Sequence, residues 1–198
     1  MNTALLLSGG MDSIAIAYWK RPDITLTIDY GQAAANAEIQ AASTFCREMG
    51  LRHEYIKFDC SNIGIGELSK KSPLNIAPAP EWWPYRNQLI ITLACMKLIS
   101  YGIKELWTGT IKTDDLYSDG RLDFYCNIKQ LISMQEGGIV VNAPAIEMDA
   151  VTLINISKIP ISLLAWAHSC HTGNYACGIC RGCEKHRSVM TALGYDSY

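Results

Sequence analysis

The sequence predicts an α/β protein built around a parallel β-sheet. Short runs of apolar and β-branched residues alternate with longer amphipathic segments, a glycine-rich turn follows the first run, and four cysteines cluster near the C-terminus. Strands that are joined through helices run parallel, and helices then cover both faces of the sheet. Ligands bind beyond the carboxyl ends of such strands, so we expect the functional loops to follow the strands.

Five strands and five helices are predicted in alternation along the chain. Their apolar and β-branched composition predicts buried strands at residues 3–7, 24–28, 54–58, 104–108 and 138–142. Amphipathic spacing predicts helices at residues 12–20, 33–49, 86–101, 123–135 and 149–157. One long irregular stretch, residues 59–84, interrupts the alternation. A loop of that length in a compact domain is usually functional or mobile.

The composition is that of an ordinary globular domain. Of the 198 residues, 49% are hydrophobic and 18% are charged, which is enough apolar material for a sizeable core. The formal net charge of −2 gives no overall basic surface for a nucleic-acid backbone. The longest apolar runs are shorter than the roughly 18 residues of a membrane-spanning helix, and the N-terminus lacks a signal-peptide layout. We therefore expect a cytoplasmic protein that binds neither nucleic acid nor membranes.

The glycine-rich turn is the segment SGGMDS, residues 8–13, between the first predicted strand and the first predicted helix. Two glycines let backbone N–H groups face outward, and the following helix directs its positive end to the same place, so a phosphate fits there. The alternative is a plain tight turn in which serine caps the helix. The segment lacks the Gly-Lys-Ser/Thr ending of a Walker P-loop.

Half of the eight cysteines lie close together in the segment SCHTGNYACGICRGC. Their spacing lets four thiolates close tetrahedrally on a zinc ion, a closed set that is typical of structural sites. Disulfides are disfavoured in a reducing compartment, and a redox Cys-x-x-Cys pair would need only two of the four. The predicted zinc ligands are Cys170, Cys177, Cys180 and Cys183. The nearby His168, His171 and His186 are surplus to this set. The scattered cysteines are predicted to be small buried hydrophobes, namely Cys46, Cys60, Cys95 and Cys126.

Six motifs in a fixed order carry a resemblance to a known family. They are SGGMDS (8–13), DYGQ (29–32), PYRNQ (84–88), GTIKTDD (109–115), YSDGR (117–121) and the cysteine segment (169–183). The first motif resembles the pyrophosphate loop of the N-type ATP pyrophosphatases. Together the motifs resemble the 7-cyano-7-deazaguanine synthase family. The resemblance implies a Rossmann-like fold of the adenine nucleotide alpha hydrolase type, with an ATP pyrophosphatase domain at residues 1–160 and a zinc-binding segment at 161–198 packed on it.

The resemblance also implies an activity. Members of this family use ATP to adenylate the carboxylate of 7-carboxy-7-deazaguanine, and ammonia then displaces AMP to give an amide. A second adenylation dehydrates the amide to a nitrile. Magnesium and zinc accompany the enzyme, and homodimers are usual.

The same resemblance assigns roles to residues of this chain. The expected catalytic residues are Ser8, Asp12, Ser13, Arg86 and Asp119. The expected nucleotide-binding residues also include Leu7, Gly9, Gly10, Met11, Tyr30, Gln32, Asn87, Gly109 and Asp114. A cation at the start of a helix opposes the helix dipole, so Arg86 suits an anionic ligand better than it suits helix stability. A carboxylate accepts the N–H donors of a guanine-type edge, which makes Asp119 the expected substrate reader, unless it only caps a turn.

The chain also departs from the family pattern. Alanines occupy positions 33–35, where the family usually has basic residues, and Ala150 stands where a lysine is common. Either other cations such as Lys112 or Arg121 supply the positive charge near the phosphates, or the enzyme performs a variant of the family's reaction. A relative from the defence-associated branches of the family could stop after one adenylation and pass the acyl group to an amine of a partner protein. A nucleotide-binding module without turnover is the third alternative.

Overall fold

The computed structural model of the protein describes residues 2–196 and confirms the predicted α/β class. Its sheet has five strands in the order β3-β2-β1-β4-β5, and every neighbouring pair is parallel. The strands are β1 (Thr3–Leu6), β2 (Ile24–Asp29), β3 (His53–Lys57), β4 (Glu105–Trp107) and β5 (Val140–Asn142). Each observed strand overlaps the strand predicted for it, with ends that differ by one or two residues.

The strand order reverses at the central strand, β1. Leu5 of β1 pairs with Thr25 of β2 on one side and with Trp107 of β4 on the other. From β1 the chain first adds β2 and β3 on one side, and later adds β4 and β5 on the opposite side. Such a switch point leaves a crevice beyond the carboxyl ends of β1 and β4, where open α/β sheets bind their ligands.

Seven helices surround the sheet among the described residues. They are α1 (Met11–Lys20), α2 (Ala35–Met49), α3 (Arg86–Leu98), α4 (Leu122–Ser133), α5 (Ala150–Ser157), α6 (Ile161–Leu164) and α7 (Arg181–Ala192). Short 3₁₀ turns lie at Ser61–Ile63, Glu67–Ser69, Ile99–Tyr101, Lys112–Leu116 and Ser118–Gly120. Across residues 2–196, none of these helices is both long and apolar enough to cross a membrane.

The helices form one layer on each face of the sheet. Leu5 packs into a core with residues of α1, α2, α5, α6 and α7, among them Phe45 and Leu153. Its neighbour Ala4 packs into a second core with residues of α3 and α4, including Ile91 and Ile128. Successive side chains of a strand point to opposite faces, so β1 contributes to both cores.

Local sequence accounts for several helix boundaries. The Asp149 side chain accepts the backbone N–H of Thr152 at 2.8 Å and so caps the start of α5. Gly50 ends α2 with a left-handed backbone, as C-terminal glycines commonly do. The α6 and α7 helices were not predicted, because α6 is a single turn after Pro160 and α7 begins inside the cysteine segment.

Candidate functional site

A cavity of about 640 Å³ opens at the crevice beyond β1 and β4. Its walls come from the loop after β1, the segment around the start of α3, the loops after β4, and the C-terminal segment from residue 168 onward. The charged and polar residues that line it include Ser8, Asp12, Ser13, Glu38, Glu81, Arg86, Asn87, Asp114, Tyr117, Asp119, His171, Arg181 and Lys185. The switch point of the sheet therefore coincides with a cavity that many charged and polar side chains line.

Most of the residues predicted to bind nucleotide or act in catalysis line this cavity. They are Leu7, Ser8, Gly10, Met11, Asp12, Ser13, Tyr30, Arg86, Asn87, Gly109, Asp114 and Asp119. Gly9 and Gln32 do not line it. Gln32 is buried, its Nε2 donates to Glu38 Oε2 at 2.8 Å, and its Oε1 accepts the N–H of Tyr30 at 2.8 Å. Gln32 thus bonds two residues that line the cavity, and its nucleotide contact stays a prediction.

The loop after β1 is shaped by its glycine and serine residues. Gly9 has a φ of 77°, and a Cβ there would lie 2.5 Å from the carbonyl oxygen of Glu38, so only glycine fits. The Ser13 hydroxyl donates to the carbonyl of Gly10 at 3.0 Å and lies 3.1 Å from Ser8 Oγ. Gly10 is the N-cap of α1, and no side chain caps this helix start. The uncapped N–H groups at the cavity favour an anion over the serine-capped turn.

Asp12 is the acidic residue of this loop, and other parts of the chain cover most of its side chain. Its Oδ2 accepts a hydrogen bond from Lys185 Nζ at 2.8 Å, while Oδ1 has no partner within the described part of the chain. Burial raises the pKa of the Asp12 carboxyl, and the Lys185 ammonium offsets part of that shift. Lys185 Nζ also lies 3.9 Å from Asp114 Oδ1, so one ammonium faces two carboxylates.

These two carboxylates have the donor chemistry that magnesium prefers. Mg²⁺ in nucleotide sites is usually held by one or two carboxylates together with phosphate oxygens. Asp12 offers an unpartnered buried oxygen, and Asp114 lies beside the same ammonium. Asp12 and Asp114 would therefore hold the ion, which when bound supplies positive charge next to the phosphates.

The start of α3 brings three predicted residues together. The Arg86 Nη2 donates to Asn87 Oδ1 at 3.1 Å, and Asn87 Nδ2 donates to the carbonyl oxygen of Asp119 at 3.3 Å. Arg86 is half-buried. Burial by itself would lower its pKa, but Tyr30 and Asp119 outweigh that cost and raise it. A cation held at the edge of the cavity suits an anionic ligand.

The four clustered cysteines form a set that fits a zinc ion. Their sulfur atoms all lie within 4.8 Å of one another, with 3.9 Å between the sulfurs of Cys177 and Cys183 and 4.0 Å between those of Cys180 and Cys170. Tetrahedral Zn–S bonds of about 2.3 Å require sulfur separations of about 3.8 Å. The Cys180 sulfur also accepts the backbone N–H of His171 at 3.4 Å, which favours the thiolate. All four thiols are free of disulfides.

The scattered cysteines agree only partly with their prediction. Cys46 and Cys60 are buried and Cys95 is half-buried, whereas Cys126 is exposed on α4. The prediction for Cys126 was wrong because its position faces solvent on a helix that buries only one side.

Apart from Arg86, the cations that line the cavity are not the two that the sequence analysis named as sources of charge. Lys112 and Arg121 are exposed and do not line it, whereas Arg181 and Lys185 of α7 do. Residues four apart on a helix share a face, but without a predicted helix after Cys180 this common face was not visible. Glu81 and His171 also line the cavity and were not expected there.

Known proteins resemble this chain over nearly its whole length. A 7-cyano-7-deazaguanine synthase from Desulforudis audaxviator is 28% identical over 98% of this chain and 98% of its own. One from Pyrococcus abyssi is 26% identical over 98% of this chain and 95% of its own. The solved structure of NMN synthetase from Francisella tularensis superposes with a TM-score of 0.52 at 13% identity, covering 100% of this chain and 79% of that one. This last likeness shows the fold alone.

The family assignment rests on a separate match. Residues 2–194 match the family described as "Queuosine biosynthesis protein QueC". The relatives named above are synthases, so the family is one of enzymes. With a match that runs through nearly all of its residues, the chain belongs to the QueC family.

Proposed function

We propose that this protein is an ATP-dependent ligase that adenylates the carboxylate of 7-carboxy-7-deazaguanine and converts the acyl adenylate into an amide. The observation that carries the proposal is the meeting of the SGGMDS loop with Arg86 and Asn87 in one cavity of a QueC-family chain. The names of the relatives support a deazaguanine substrate. The start of α1, which no side chain caps, supports an anion site in this cavity.

The first step needs stabilisation of a leaving pyrophosphate. A carboxylate oxygen attacks the α-phosphorus of ATP, the bond to the β-phosphate oxygen breaks, and pyrophosphate departs with the negative charge. The start of α1, the hydroxyls of Ser8 and Ser13, and the Lys185 ammonium surround the place where that charge would collect. Groups fixed in advance around a developing charge lower the barrier more than mobile water does.

The second step forms the carbon–nitrogen bond. Ammonia attacks the acyl carbon, AMP leaves with the former carboxylate oxygen, and the nitrogen loses a proton to give the amide. Conversion to a nitrile needs a second ATP to adenylate the amide oxygen, which releases pyrophosphate, followed by loss of AMP and of both amide protons. The amide oxygen is a weaker nucleophile than a carboxylate, so this later adenylation depends more on stabilisation of the leaving group.

The cavity holds less free positive charge than the family pattern implies. Lys185 is paired with Asp12 and faces Asp114, so its charge is balanced by neighbouring carboxylates. Ala150 lines the cavity without adding charge, and positions 33–35 do not line it. Because little unpaired positive charge is left to stabilise the pyrophosphate of the second adenylation, we expect the reaction to stop mainly at the amide.

Product analysis tests this proposal. Incubation of the protein with ATP, magnesium, ammonia and 7-carboxy-7-deazaguanine should yield the amide, with nitrile slow or absent, as measured by mass spectrometry. We expect Ala150→Lys to raise the nitrile yield, because position 150 lines the cavity. Asn155→Lys adds the same charge to an exposed position of α5 and serves as the matched control.

Each other outcome of this incubation has a definite meaning. Complete conversion to nitrile without amide accumulation would show an ordinary synthase and contradict the amide proposal. A deazaguanine adduct on a protein amine would show acyl transfer to a protein acceptor. ATP that stays intact would show a nucleotide-binding module. Mass photometry of the same sample tests the homodimer that the family resemblance implies.

A further inference from the structure

The cavity contains a second group of polar side chains that the phosphate chemistry does not use. Its centre is Glu81, at the end of the irregular stretch, with only 7% of the residue exposed. The Tyr117 hydroxyl donates to Glu81 Oε1 at 2.5 Å, and Arg181 Nε lies 3.6 Å from the same oxygen. Two distant parts of the chain thus hold one buried carboxylate against the cavity.

The other oxygen of this carboxylate is unpaired. Among residues 2–196, Glu81 Oε2 has no hydrogen-bond partner, and His171 Nδ1, which belongs to another cavity residue, has none either. A buried carboxylate oxygen without a donor is costly, so its presence beside a cavity indicates a ligand that supplies the donor. Since a carboxylate only accepts hydrogen bonds, the ligand must present N–H or O–H groups to Glu81.

Asp119, the substrate reader expected from the sequence, is in a different situation. Its charge lies close enough to Arg86 to help raise the pKa of that guanidinium, although burial acts on Arg86 in the opposite direction and more strongly than any one neighbour. Asp119 is half-buried and neither of its carboxylate oxygens is a buried atom without a partner, whereas Glu81 is nine-tenths buried and has one such oxygen. Of these two carboxylates, Glu81 is therefore the one that requires a hydrogen-bond donor from a ligand.

We infer that Glu81 is the specificity-determining residue that reads the amino-pyrimidinone edge of the substrate ring. This inference rests on the proposed function. That edge presents a ring N–H and an adjacent amino group, two donors side by side, which match one carboxylate. The adenine of ATP presents a single amino group next to a ring acceptor, so Glu81 distinguishes the two heterocycles. Trp82 and Trp83 line the same cavity and provide aromatic surface for a planar ring.

Equilibrium binding to the full chain tests this inference. Isothermal titration should show that the wild-type protein binds 7-carboxy-7-deazaguanine at least about tenfold more tightly than the analogue lacking the 2-amino group. Glu81→Gln places a competing amide N–H against the donors, so affinity for the amino compound should fall at least about tenfold and the discrimination should vanish. ATP affinity should not change. Glu184→Gln, on the exposed side of α7, is the matched control.

Two results would overturn the assignment to Glu81. One is wild-type protein that binds both deazapurines equally, a result that needs no variant to fold. The other is loss of discrimination in Asp119→Asn with discrimination kept in Glu81→Gln. Wild-type protein that binds ATP but neither deazapurine would instead overturn the proposed function itself.

Discussion

Replacement of Asp12 by asparagine is expected to lower ATP-dependent pyrophosphate release by at least about 10³-fold, and Ser13→Ala should have a similar effect. Asp12 holds Lys185 beside the phosphate loop at 2.8 Å and presents its second oxygen without a partner. Ser13 fixes the loop through its hydrogen bond to the Gly10 carbonyl at 3.0 Å. Both changes therefore disturb the groups that would face the leaving pyrophosphate.

The fold should survive the Asp12→Asn change. Asparagine has nearly the same shape, and the native carboxylate is already penalised by burial, which raises its pKa. Lys185 keeps a carboxylate nearby, since Asp114 Oδ1 is 3.9 Å away. Circular dichroism checks the fold. Asp115→Asn is the control, because Asp115 is exposed and does not line the cavity. Wild-type pyrophosphate release from Asp12→Asn would remove the loop from the mechanism.

Cys180→Ser is expected to abolish zinc binding and lower the melting temperature by at least about 10 °C. Cys180 is buried, belongs to the four-sulfur cluster, and is the N-cap of α7. A closed thiolate set contributes its metal-binding free energy to folding. Because α7 carries Arg181 and Lys185 into the cavity, ligase activity should fall together with stability.

Metal analysis and thermal melting measure these two effects. Wild-type protein purified without chelator should contain about one zinc ion per chain. Cys126→Ser is the matched control, since it removes an exposed sulfur on α4 and should change neither zinc content nor melting temperature. Wild-type protein without zinc, or full zinc content in Cys180→Ser, would contradict a four-cysteine site.

The sequence was most informative where local rules decide the structure. The loop between β1 and α1 could be predicted because its glycines, its position after a buried strand and its helix start all indicate the same turn. The cysteine cluster could be predicted because ligand spacing is itself local. The sheet followed from the alternation of strand and helix patterns, which is why its strand positions are correct within one or two residues.

The residues that were missed depend on contacts between distant parts of the chain. Glu81 lies in a stretch without periodicity, and its partners Tyr117 and Arg181 come from the loop after β4 and from α7. Asp12 is paired with Lys185 of α7, and the backbone N–H of His168 donates to the Gly9 carbonyl at 2.9 Å, so the C-terminal segment packs against the loop. No local pattern in the sequence predicts that the C-terminal segment packs against this loop.

We propose that this chain activates a carboxylate by adenylation. ¹⁸O labelling tests this proposal: 7-carboxy-7-deazaguanine labelled with ¹⁸O in the carboxylate is incubated with the protein, ATP, magnesium and ammonia, and the nucleotides are analysed by mass spectrometry. Attack of a carboxylate oxygen on the α-phosphorus predicts AMP that carries one ¹⁸O atom, formed together with pyrophosphate. Unlabelled AMP, or ADP with phosphate, would contradict the claim.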